Sequence, residues 1–120
     1  MALTKEQILS ALPKSKNDLP REAVEAWGGT VFVRALSGTE RDEFEVETGA
    51  IKELGDNPLI GVRARIVAWC CCDESGQRIF NSKDAAELGK ADAGTLDKVF
   101  AVAGRLSGFT QKDVEELEKN

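Results

Sequence analysis

The stretch from Asn57 to Cys72 constrains the fold more than any other, because a segment this apolar has to lie inside. Asn57-Pro58 is a helix-start signal, a cap followed by proline at the first helical position. Behind it Leu59, Val62, Ile66 and Trp69 or Cys70 recur at helical spacing, with Ala64, Val67 and Ala68 widening the apolar surface. Arg63 and Arg65 emerge at its margins. The pattern predicts a central, most buried helix around which the rest must pack. Ile66 to Cys72 also suits a strand, since a short apolar run does not discriminate between the two. In either form it is far too short to span a bilayer.

Other elements are expected on both sides of this segment. Residues 1–20 read as a peripheral N-terminal arm. In it Thr4 caps a helix over Lys5 to Leu12 with Ile8, Leu9 and Leu12 on one side; Pro13 stops it, and a polar connector follows. Glu22 to Trp27 and Thr30 to Leu36 flank Gly28-Gly29, which predicts a hairpin turning on the diglycine. The alanines and glutamates of the first run would suit a helix equally well. Ser37-Gly38-Thr39-Glu40 has capping-box spacing and opens a helix with Phe44, Thr48, Ile51 and Leu54 on one face. Asp73-Glu74-Ser75-Gly76 reads as a turn, and Gln77 to Phe80 as a short strand paired near Cys70 to Cys72. Ser82 is expected to cap a helix closed by Gly89. Asp92 or Thr95 opens another, carrying Leu96, Val99, Phe100, Ala103 and Leu106 and closed by Gly108. Thr110 and Asp113 begin a last helical segment, Gln111 to Leu117. The sum is a single α+β domain over residues 21–120, a small antiparallel β-hairpin or meander packed against four to five helices, and 120 residues suit one compact domain.

Charge and missing residue types exclude function classes. With a net charge of −5 and no basic cluster, the chain lacks the face that nucleic acids or anionic membranes require. There is no histidine, which removes Ser-His-Asp and Cys-His triads and nearly all zinc catalysis. No glycine-rich phosphate loop occurs, and Asp73 and Glu74 lack EF-hand spacing. Cys70, Cys71 and Cys72 are adjacent, so their side chains diverge and do not jointly chelate one ion; they read as small buried apolar groups. Met1 to Leu12 lacks the apolar run of a signal peptide, and the three free thiols fit a reducing compartment. The expectation is a cytoplasmic protein that binds other proteins, without enzymatic activity, metal or cofactor.

Candidate contact residues follow. Between Ser37 and Asp56 seven acids face two bases, a local balance of −5 equal to that of the whole chain. This face reads as solvated surface first and as a docking face for a basic partner segment second. Trp27 sits at the hairpin turn, and its packing role ranks ahead of partner contact.

The order of elements resembles the tail assembly chaperones of long-tailed bacteriophages. The likeness runs from about Arg21 to the C-terminus. It rests on Trp27-Gly28-Gly29-Thr30-Val31-Phe32-Val33-Arg34 leading into Leu36-Ser37-Gly38-Thr39-Glu40-Arg41-Asp42. It continues through Val62 to Cys72, the turn before Ile79-Phe80, Leu88-Gly89, Leu96 to Phe100 and Leu106-Ser107-Gly108-Phe109-Thr110. The resemblance implies a protein of the bacterial cytoplasm that coats the tape measure protein and keeps it soluble, is absent from the finished virion, and self-associates as a homo-oligomer. It also implies a longer frameshifted form that recruits the tail tube protein, of which this chain would be the short version. Within it Trp27, Phe32 and Phe109 are candidate apolar contacts and Glu40, Glu43 and Glu47 candidate electrostatic ones. A structural virion component, such as a tail terminator or head–tail connector, and a bacterial adaptor module are the alternatives.

Overall fold

The computed structural model describes residues 2–109, and the fold is α+β as expected. The elements run α1 (Lys5–Ala11), β1 (Arg21–Ala26), β2 (Gly29–Arg34), α2 (Gly38–Glu53), α3 (Val62–Cys70), β3 (Cys71–Cys72), α4 (Ala85–Leu88) and α5 (Ala93–Ser107), with 3-10 turns at Lys16–Asp18 and Ser82–Asp84. Three antiparallel strands form one sheet in the order β1-β2-β3. The helical segment expected over Gln111 to Leu117 lies outside the described residues.

The hairpin turns one residue earlier than the diglycine suggests. Ala26 pairs with Gly29, so the two-residue turn is Trp27-Gly28, both at positive φ (52° and 80°), and Gly29 belongs to β2. This register puts Val24, Ala26 and Val33 on the buried face; a slip of one residue would turn them to solvent. Burial outweighs the ease with which a second glycine would take the left-handed conformation.

The apolar segment is the most buried element. Eight of the nine residues of α3 are inside, Arg63 being the exception. The helix begins at Val62 and not at Pro58. Asn57 does accept from Leu59 N–H (2.9 Å), but Gly61 at φ 80° breaks the path, so Pro58 to Gly61 form turns ahead of the helix. At its far end α3 passes into β3 with no connecting residue, so both readings of Ile66 to Cys72 hold for part of it.

Helix α5 packs on α3 and the sheet through Leu96, Val99 and Ala103. Asp92 caps it, and it ends at left-handed Gly108 with Phe109 N–H donating to Gly104 O (2.8 Å). Two further boundaries differ from expectation. Asn81, not Ser82, supplies the cap before α4, accepting from Lys83 and Asp84 N–H. Gln77 to Phe80 form no strand; Arg78 makes a single bridge to Cys72. Helix α1 has the capping box of Thr4 and Gln7 but buries none of its residues against the described chain. Among the described residues no helix is long and apolar enough to cross a membrane.

Candidate protein-binding surfaces

A buried polar network holds the start of α2 against β2. Arg34 of β2 is 1% exposed, and its Nη1 and Nη2 donate to Glu40 Oε1 (2.8 Å) and Oε2 (2.9 Å). Its Nε donates to Gly76 O (2.7 Å) and its Nη1 also to Ala35 O (3.0 Å). Ser37 and Glu40 complete the capping box, Glu40 N–H donating to Ser37 Oγ (3.1 Å) and Ser37 N–H to Glu40 Oε1 (3.0 Å). Burial alone would push the Glu40 carboxyl up. The Arg34 hydrogen bonds, the Ser37 N–H and the charges of Arg34 and Lys16 outweigh it and hold the group down at about 2.

Farther along α2, Arg65 of α3 donates to Thr48 Oγ1 (3.1 Å) and Pro58 O (3.1 Å), and Trp69 Nε1 donates to Glu47 Oε2 (2.6 Å). Phe44 meets Trp69 and Phe109 edge to face at 6.4 and 5.5 Å between centroids. These contacts fix the rotation of α2 about its axis, and with it what the opposite face presents.

That opposite face carries Val46 (74% exposed) and Ala50 at i and i+4, and Leu54 (82% exposed) stands out at the C-cap just beyond the helix. Asp42, Glu43, Glu45 and Glu53 are exposed around it. An apolar stripe framed by carboxylates is suited to an amphipathic helix with a basic margin. Leu54, expected on the inward face, is instead exposed: α2 leaves the core after half-buried Ile51 and the chain turns away at left-handed Gly55.

A second surface lies at the hairpin turn. Trp27, 45% exposed, forms with Phe80, Leu88 and Ala91 an open groove of about 490 Å³ whose lip carries Asp84, Glu87 and Lys90. At the base of the arm Leu12, Pro13 and Leu19 form a separate hollow with Leu36.

The six candidate contact residues therefore divide. Trp27 and Glu43 are exposed. Phe32 is half-buried on β2, opposite Ala23 and Cys72. Phe109 packs on Phe44 beneath the Arg41 guanidinium, 3.9 Å from its ring centroid. Glu47 is held by Trp69, and Glu40 is sealed inside against Arg34, so its charge is not on offer to a partner. Val46 is not among the expected contacts, although its i, i+4 spacing with Ala50 marks a second apolar strip on the same helix.

The three cysteines are free and buried. Burial pushes the Cys70 thiol up to about 11 and Cys71 to about 12, and raises Cys72 as well. Such thiols stay protonated and unreactive at neutral pH. Among the described residues no group of histidine, cysteine or carboxylate side chains is placed to hold a metal ion. Neither protein-family models, nor curated proteins, nor solved structures give a match to this chain.

Proposed function

We propose that the chain is a tail assembly chaperone of a long-tailed bacteriophage, working in the cytoplasm of the bacterial host. In this reading it binds and solubilises the tape measure protein and helps to recruit tail tube subunits, the latter through a longer frameshifted form, and it leaves before the virion is complete. The order of sequence elements suggests the family. The observation that carries the binding role is the apolar strip of Val46 and Ala50, with Leu54 just beyond it, set among carboxylates on a helix whose other face is locked. A long helical client with alternating apolar and basic groups would bury that stripe and neutralise its margin, which needs complementary surface and no reactive group.

The test is co-expression with the tape measure protein encoded in the same gene cluster, followed by a solubility assay and pull-down. The client is expected to become soluble and to co-purify with several copies of this chain. The double variant Val46→Asp, Leu54→Asp should fold normally and lose the client. An insoluble client with nothing bound would overturn the reading. So would finding the protein in purified particles, which points to a structural virion component.

A further inference from the structure

Among the described residues the arm and the Trp27 groove are unpartnered apolar surfaces, and they lead off from opposite ends of β1. Helix α1 presents Leu3 (65% exposed), Ile8 (47%), Leu9 (56%) and Leu12 (53%). Leu3 precedes the Thr4 cap and Ile8 is the fourth helical residue, the positions of a hydrophobic staple, so Leu3, Ile8 and Leu12 share a face with Leu9 beside it. A seven-residue helix is marginal in water on its own, and most helical stability comes from burying such a face.

The base of the arm is clamped. Arg21 Nη1 donates to Asn17 O (3.3 Å), Ala35 N–H to Pro20 O (2.8 Å), and Lys16 Nζ lies 3.7 Å from Glu40 Oε2. All of these hold the connector to the Arg21 end of β1. Trp27 follows the last residue of that strand, about 20 Å away at ~3.3 Å per residue. Helix α1 buries none of its residues against the described chain, and no residue of the arm lines the groove.

Charge selects the occupant. Residues 1–16 hold three lysines and one glutamate, a balance of +2, whereas the other 104 residues hold thirteen bases and twenty acids, a balance of −7. A basic, apolar arm on an acidic body is complementary to the body of another copy. The groove offers the matching apolar floor of Trp27, Phe80, Leu88 and Ala91, with Asp84 at its lip beside Glu87, which is paired there with Lys90 (3.1 Å).

We propose that α1 of one copy docks in the Trp27 groove of a second copy, so that molecules join head to tail. A contact between two different surfaces does not close on itself as a two-fold dimer does. It continues into a ring or an open filament, depending on the rotation between neighbours. The proposal gives a specific interface to the self-association that the chaperone reading implies, and its test needs no client.

The test is sedimentation equilibrium of the full chain over a concentration series, with Leu9→Glu disabling the arm and Trp27→Asn disabling the groove. Asparagine tolerates the left-handed turn, and Leu9 is exposed, so both variants should keep the wild-type circular dichroism spectrum; Ile8→Glu and Ala91→Glu are the replacements if either does not. The wild type is expected to grow past dimer with concentration and to weaken with added salt. Each variant alone should associate at least about tenfold more weakly. An equimolar mixture should form one-to-one dimers and stop there, since only one intact arm and one intact groove remain. A monomeric wild type, unchanged association in Leu9→Glu, or a mixture that stays monomeric would each overturn the proposal. Binding of the wild type, but not Leu9→Glu, to phosphatidylglycerol vesicles without self-association would give the arm to a membrane instead.

Discussion

Replacing Glu40 by glutamine removes one charge and almost no volume, and its cost can be worked from either side of the Arg34–Glu40 pair. The Glu40 carboxyl is held at about 2 against a reference of 4.5. At about 1.4 kcal/mol per unit this corresponds to about 3 kcal/mol of stability at neutral pH. The second route is the partner left behind. Arg34 would remain 1% exposed, with two backbone carbonyls and an amide in place of a carboxylate. Breaking a buried ion pair from one side costs about 3–5 kcal/mol. Both routes converge on about 3–5 kcal/mol, a large share of the ~5–15 kcal/mol typical of a domain, and on a fall in Tm of about 10–20 °C. Urea unfolding followed by tryptophan fluorescence measures it.

The pH dependence supplies a sharper version. A carboxyl depressed in the folded state contributes its full stability above its unfolded value and loses it as pH falls through the folded one. The difference between wild type and Glu40→Gln should therefore be constant above about 5 and shrink towards zero as pH falls to about 2. Taking the difference removes other depressed carboxyls, such as Asp73 and Asp92, which are common to both proteins. The pair Arg34→Met with Glu40→Leu should cost less than Glu40→Gln, since it leaves no buried charge. A Glu40→Gln protein within about 1 kcal/mol of wild type at pH 7, or a difference that does not vary between pH 5 and 2, would refute the reasoning.

Other outcomes are expected from single positions. Trp27 holds φ 52° without being glycine or asparagine, so Trp27→Gly should raise stability by about 1 kcal/mol in thermal melts, and a loss would mean that ring packing outweighs the strain. Gly76→Ala should cost about 2 kcal/mol or more by calorimetry, because φ is +90° and the added methyl would lie 2.9 Å from Asn17 Cα. In native protein at pH 8 none of the three thiols should react with a chromogenic disulfide reagent within minutes, whereas all three should react in denaturant; rapid native labelling would contradict their burial.

Much of the fold was legible because its signals are local. The capping box at Ser37, the stop at Gly108 and the apolar density of α3 each depend on neighbours within a few residues. The hairpin was legible as a hairpin but not in register, since glycine marks where positive φ is cheap and not where burial will demand it. The surfaces were harder. Glu40 reads as a surface acid at a helix start, and nothing local says that Arg34, six residues earlier, will be sealed against it. The groove gathers Trp27, Phe80, Leu88 and Ala91 from distant parts of the chain, a juxtaposition that no periodicity encodes. Leu54 continues the inward spacing of Phe44 and Thr48 and also the outward spacing of Val46 and Ala50, and only the path of the chain after the helix decides between them.

The direct passage of α3 into β3 falls within three identical residues. Sliding the chain by one position there would put the same side chain back into two of the three places, so packing at the junction alone scarcely distinguishes one alignment from the next. The alignment must be set from outside. Trp69 is tied to Glu47 on one side, and Asp73 gathers the Ser75 hydroxyl and the Gln77 N–H on the other. The cysteine triplet behaves as a blank ruler whose zero is marked only at its two ends.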